Sequence, residues 1–229
     1  MPPHRRTPAE IEPELAWYPC AVHDRLCKHA VMETVSPPSP SPSSLWRRAA
    51  LALLALAGWR TSFVWPPEPK GVIIVYPHTS NWDFPLGMLF RIGHGLPANW
   101  VGKTEMFKAP FAGLLKRVGG IPLDRRRTTG FIDALVAEYR KRAWMWLAIA
   151  PEGTRSHTEY LKPGFYALAL AADVPVALGY IDYGRRRIGV DTYLRMTGDC
   201  DADMERIREF YSDKRGRRPG NAGELRLRK

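Results

Sequence analysis

Short apolar runs alternate with longer stretches of helical periodicity along most of this chain. GVIIVY (71–76) is compact and rich in β-branched residues, as a buried strand requires. DFPLGMLFRI (83–92) spaces its apolar residues for a helix, and ANWVGK (98–103) reads as a second strand. A helix is expected to begin at Pro110 and run through FAGLLKRV, with Gly119 and Gly120 as its stop. IPL (121–123) suits a brief strand. Thr129 is placed to cap a helix over 130–142, where Phe131, Leu135, Val136 and Tyr139 share a face. WMWLAIA (144–150), VPVALGYID (174–182) and RIGVDTYLR (187–195) read as strands, and GFYALALAA (164–172) and ADMERIREFY (202–211) as helices. Strands alternating with helices predict an α/β fold: a single domain with a mostly parallel central sheet covered by helices.

The pattern fails upstream. Residues 1–44 end in a Pro/Ser run, VSPPSPSPSS, which favours extended chain and cannot pack a core, so a disordered N-terminal segment is expected there. Met32 stands just before that run, and residues 1–31 also fit a start assigned too early. No secretory signal begins at Met1. Cys20, His23, Cys27 and His29 lie close together, but their spacing matches no common zinc module, and no metal is expected. AALALLALAGW (49–59) is far short of the ~20 residues that span a bilayer. Arg47 and Arg48 precede it and Arg60 follows. A helix over about 45–60 could lie in a membrane interface with its basic flanks on anionic head groups, or pack as a core helix; both readings stand. The domain proper is expected over 45–212, with a basic tail over 213–229.

The 229 residues carry a net charge of +11, which favours an anionic partner: a membrane surface, a phosphorylated substrate or a nucleic acid. Three cysteines are too few, and odd in number, for a disulfide scaffold. The aromatic residues Trp144 and Trp146 alternate inside an apolar strand rather than among the arginines, so no nucleic acid is expected.

In parallel sheets, chemistry gathers at the carboxyl ends of strands. His78 follows one predicted strand, Glu152 another, Arg125 a third, and Lys103 closes a fourth. A histidine can remove a hydroxyl proton near neutrality, and a carboxylate such as Asp83 can orient it. Ser80 to Asp83 also fits a capping box, so Asp83 could instead start the helix, or do both with one oxygen each. In APEGTRS (150–156), Glu152 and Gly153 with Thr154 and Arg155 could present backbone N–H groups and a guanidinium to a phosphate; an ordinary surface turn with a Glu152–Arg155 ion pair is the alternative. In GGIPLDRRR (119–127), Arg125 could clamp a phosphate.

Taken in order, these blocks resemble the glycerolipid acyltransferase superfamily. His78 to Asp83 match H-x-x-x-x-D, Gly119 to Arg125 match a G-x-[IF]-x-x-x-R block, Pro151 to Ser156 match the P-E-G-T-R-S block, and Val174-Pro175-Val176 match an apolar fourth block. Pro77 and Ala150 depart from the asparagine and phenylalanine common in that family. The resemblance implies an O-acyltransferase, with His78 as base, Asp83 as its orienting carboxylate, and Lys103, Gly120, Arg125, Glu152, Gly153, Thr154 and Arg155 on the substrate side. It implies no cofactor. The partners would be an acyl-CoA or acyl-carrier-protein thioester, a lysophospholipid acceptor and the membrane surface, at its cytoplasmic face. The fourth block would shape an acyl channel or pack the sheet.

Overall fold

The computed structural model describes residues 43–108, 110, 112–123 and 130–228. Residues 1–42 of the expected disordered segment, the Cys20–His29 cluster, Arg125 and Thr129 lie outside these residues, while Ser44, the last residue of that expected segment, already begins a helix. All of the described residues belong to one compact unit.

A seven-stranded sheet forms the centre. Its strands are β1 (Arg60–Phe63), β2 (Lys70–Val75), β3 (Ala98–Lys103), β4 (Gly120–Leu123), β5 (Met145–Ile149), β6 (Val176–Asp182) and β7 (Arg187–Leu194). The spatial order is β1-β7-β6-β2-β5-β3-β4. Every neighbouring pair is parallel except β6 and β7, which form an antiparallel hairpin. Among the described residues, six α-helices complete the fold: α1 (Ser44–Leu56), α2 (Asp83–His94), α3 (Ala112–Arg117), α4 (Phe131–Lys141), α5 (Gly164–Ala172) and α6 (Cys200–Tyr211). The expected mostly parallel α/β architecture is therefore present.

Alternation along the strands sorts the core into two layers. Val72 and Ile74 of β2 and Leu147 of β5 face α4, α5 and α6, together with Leu135, Leu168 and Ile207. Ile73 and Trp146 face the other way, toward Leu54 of α1 and Phe90 of α2. Full burial of each such aliphatic side chain contributes about 1.5–3 kcal/mol. Both faces of β2 are covered, which explains why its sequence is continuously apolar rather than alternating.

Several details depart from the sequence reading. β1 is not legible as a strand: RTSF is short, half exposed, and held by backbone pairing to β7 at the sheet edge. The N-cap of α4 is Gly130 with φ 77°, not Thr129; glycine enters that left-handed conformation without steric cost. α1 settles neither of its two readings alone. Ala50 and Leu54 are buried, while Leu45 (72 % exposed), Trp46 (66 %) and Leu56 (85 %) stand in solvent. Among the described residues, no helix is long and apolar enough to cross a membrane. Val174 and Pro175 are buried at the amino end of β6, and Pro175 O accepts the Val72 N–H. The fourth block thus packs the sheet, at the end opposite the strand carboxyl termini.

The interleaving of β2 and β5 depends on one missing side chain. The Trp146 ring lies over Gly71, where an added Cβ would fall 2.2 Å from its carbons. Gly71→Ala should lower stability by at least about 1–3 kcal/mol, the usual cost of overpacking. Thermal denaturation of the variant would check this, and an unchanged melting temperature would contradict the packing described.

Candidate active site

β2, β5 and β6 are neighbours and parallel, so their carboxyl ends open onto one edge of the sheet. The loop after β2 carries His78, the loop after β5 carries Glu152, and Tyr183 follows β6 directly. The structure brings all three together.

His78 and Asp83 form the centre. His78 Nδ1 lies 3.1 Å from Asp83 Oδ2; the carboxylate side chain is 1 % exposed and the imidazole 21 %. The same Oδ2 accepts the Ser80 N–H at 2.9 Å, while Ser80 Oγ accepts the Trp82 N–H at 3.2 Å. Asp83 therefore both closes the turn that leads into α2 and holds the histidine. The expected division of labour, one oxygen for each task, is not what forms. Oδ2 does both, because Oδ1 is taken by the Tyr183 hydroxyl at 2.8 Å. Burial, followed by the bond to Asp83, pushes the Tyr183 phenol well above its ordinary value, so it stays a donor. With Nδ1–H directed at a carboxylate, the neutral ring carries its lone pair on Nε2. Among the described residues nothing hydrogen-bonds that nitrogen. The arrangement can accept a proton at Nε2 and stabilise the resulting imidazolium against the Asp83 carboxylate.

Glu152 is 2 % exposed and has no ion pair with Arg155, so the surface-turn alternative does not hold. Its Oε2 accepts the His78 backbone N–H at 2.7 Å, and its Oε1 accepts the Gly223 N–H at 3.1 Å. Burial raises its pKa, and the two N–H donors pull the other way. Tyr76, at the end of β2, donates to Gly223 O at 2.7 Å; burial and the Glu152 charge push its phenol up to about 12. Gly153 adopts φ +66°, a left-handed conformation that favours glycine, and the end of the Lys162 side chain lies over it. Thr154 and Arg155 are exposed; Thr154 Oγ1 accepts the Ser156 N–H, and Arg155 O accepts from Asn221 Nδ2.

The remaining expected residues divide. Lys103 is the last residue of β3, so its backbone reaches the same edge of the sheet. Gly120 does not: it pairs with Trp100 at the amino end of β4, and a Cβ there would strike Leu115 O and the Phe107 and Trp100 rings within 2.8 Å. Its smallness serves packing. Among the described residues, no cluster of His, Cys, Asp and Glu could hold a metal ion.

Residues 66–178 match the family model described as Acyltransferase. This segment is an acyltransferase domain. His78, Asp83 and the 150–156 turn all lie within it, whereas Tyr183 and Gly223 lie beyond its matched end. The fold is also similar to the crystal structure of the 1-acyl-sn-glycerophosphate (LPA) acyltransferase PlsC from Thermotoga maritima, at 15% identity over 74% of each chain with a TM-score of 0.47. No curated protein sequence matches the chain.

Sequence reasoning missed Tyr183 and the segment after α6. The one available signal for Tyr183 was its position just past an apolar strand. Glu152→Gln should cost about 1–3 kcal/mol, because its amide would face one of two backbone donors and leave that donor unsatisfied. Chemical denaturation checks this; a variant as stable as the parent would show that the bridge contributes nothing.

Proposed function

We propose that the protein transfers a fatty acyl group from an acyl-CoA or acyl-carrier-protein thioester to the hydroxyl of a lysophospholipid, with 1-acylglycerol 3-phosphate as the leading acceptor. The observation that carries this reading is the His78–Asp83 pair, buried on the carboxylate side, open at Nε2, and located inside an acyltransferase domain. His78 Nε2 removes the acceptor hydroxyl proton as its oxygen attacks the thioester carbonyl. The tetrahedral intermediate collapses, the C–S bond breaks, and the imidazolium returns the proton to the leaving thiolate. Asp83 holds the Nδ1 proton and supports the positive charge between these steps.

Around that centre, Glu152 positions the His78 main chain rather than touching substrate. Arg125, Lys103 and Arg155 supply positive charge for a phosphate, in keeping with the net charge of +11. No step is assigned to a cofactor.

On this reading the transfer takes place at a membrane surface, on its cytoplasmic side; the exposed face of α1 supports the membrane contact. Leu45, Trp46, Leu53 and Leu56 project there, with Arg48 exposed beside them. Such a helix lies in the interface, its apolar face among acyl chains and its arginines on head groups.

The test is purified protein with labelled acyl-CoA and a panel of lysolipids, including a lyso-ornithine lipid. Transfer should appear with the parent and fall about 10²- to 10⁴-fold in His78→Ala. Release of free fatty acid without acceptor would make the protein a hydrolase. Binding to liposomes or nucleic acid with no turnover on any donor would leave only a basic binding module. For the membrane reading, Trp46→Ser with Leu56→Ser should weaken sedimentation with anionic vesicles while transfer to a water-soluble acceptor persists. Unchanged sedimentation would remove α1 from the membrane contact.

A further inference from the structure

The chain after α6 does not trail away from the domain. It runs across three strand ends in turn. Arg215 is fixed beside the end of β6, where its N–H reaches Asp182 Oδ1 at 3.2 Å and its carbonyl accepts the Tyr183 N–H at 2.8 Å. Gly216 and Arg218 lie against the loop after β2. A Cβ on Gly216 would sit 2.6 Å from Thr79 Oγ1 and 3.3 Å from Pro77 Cγ, the two neighbours of His78 in sequence, and the Arg218 N–H donates to Thr79 Oγ1 at 3.2 Å. Gly223 then meets Glu152 after β5, and Leu227 ends the crossing in a parallel bridge with Leu161. Residues 215–227 are thus a strap over the edge that carries His78.

This strap places arginines beside the site. The Arg217 guanidinium lies 5.5 Å from the centre of the Trp82 ring, the residue immediately before Asp83. It is close enough to Tyr183, the partner of Asp83, to act on that phenol through its charge. Neither Arg215, Arg217 nor Arg218 forms an ion pair with a described carboxylate, although Arg185, Arg195, Arg208 and Arg226 all do. The contact with the Trp82 ring holds the guanidinium beside the site, and a guanidinium without a carboxylate partner can fork onto phosphate oxygens.

We infer that Arg217, carried by the strap, is a phosphate-binding residue for the substrate. The inference rests on the acyl-transfer reading only for the identity of that substrate. The phosphate belongs either to the glycerophosphate head of the acceptor or to the CoA half of the donor, and both present the same chemistry to a guanidinium.

Calorimetry with two probes, sn-glycerol 3-phosphate and CoA, separates these sources. The variants are Arg217→Ala, Arg217→Lys and, as a control of equal charge change, Arg140→Ala on the exposed end of α4. Arg217→Ala should weaken one probe by about tenfold or more. Arg217→Lys should recover part of that loss, and Arg140→Ala should leave binding intact. The probe that is lost names the source of the phosphate. Parental binding of both probes by Arg217→Ala, an equal loss in Arg140→Ala, or no binding of either probe by the parent would each overturn the inference. Turnover is read separately: binding that depends on Arg217 in a protein that transfers no acyl group would sink the acyl-transfer reading and leave the phosphate site standing.

Discussion

A single buried carboxylate joins the parts of this site. Glu152 comes from the turn after β5, accepts the backbone N–H of His78 from the loop after β2, and accepts the N–H of Gly223 from the C-terminal strap. Removing a carboxylate from water is costly unless its oxygens are satisfied, and burial does push its pKa upward. The two backbone donors offset that cost. Each is itself in a loop that would otherwise have an unpaired group facing the interior. The bridge therefore constrains the placement of the His78 main chain, and through it the imidazole.

Asp83 solves a related problem from the other side. The turn that leads into α2 needs an acceptor for the Ser80 N–H, and a histidine base needs one for its Nδ1 proton. One oxygen of Asp83 serves both needs because the second is occupied by Tyr183. Closing the Ser80–Asp83 turn and orienting the base are one geometry. Trp82, between Ser80 and Asp83, is displayed outward by the same turn and becomes the platform for Arg217. Local helix chemistry thus sets both the base and the ring beside it.

Much of the fold was legible from periodicity. β2, β5 and β6 are buried on both faces and read as apolar runs, and α2 and α5 begin and end within a few residues of their expected limits. β1 escaped because an edge strand is held by backbone pairing, which leaves little trace in side-chain type. The packing role of Gly120 was not legible because a glycine required by a Trp and a Phe ring looks the same in sequence as one required by a ligand. The basic segment after α6 reads as a solvated tail because its anchors are mostly backbone groups: Arg215, Arg218 and Gly223 donate through N–H, which every residue but proline possesses.

The sequence by itself determined the α/β class, from strands alternating with helices along the chain, and the order of the blocks; it left Asp83 open between starting α2 and orienting His78. Only the tertiary structure decided that Glu152 grips the His78 backbone, that Tyr183 completes Asp83 from 100 residues away, and that the strap crosses the strand ends. The reason is physical. Local patterns record which face of an element is buried, but not which buried hydrogen-bonding groups will meet once the strands are ordered in the sheet.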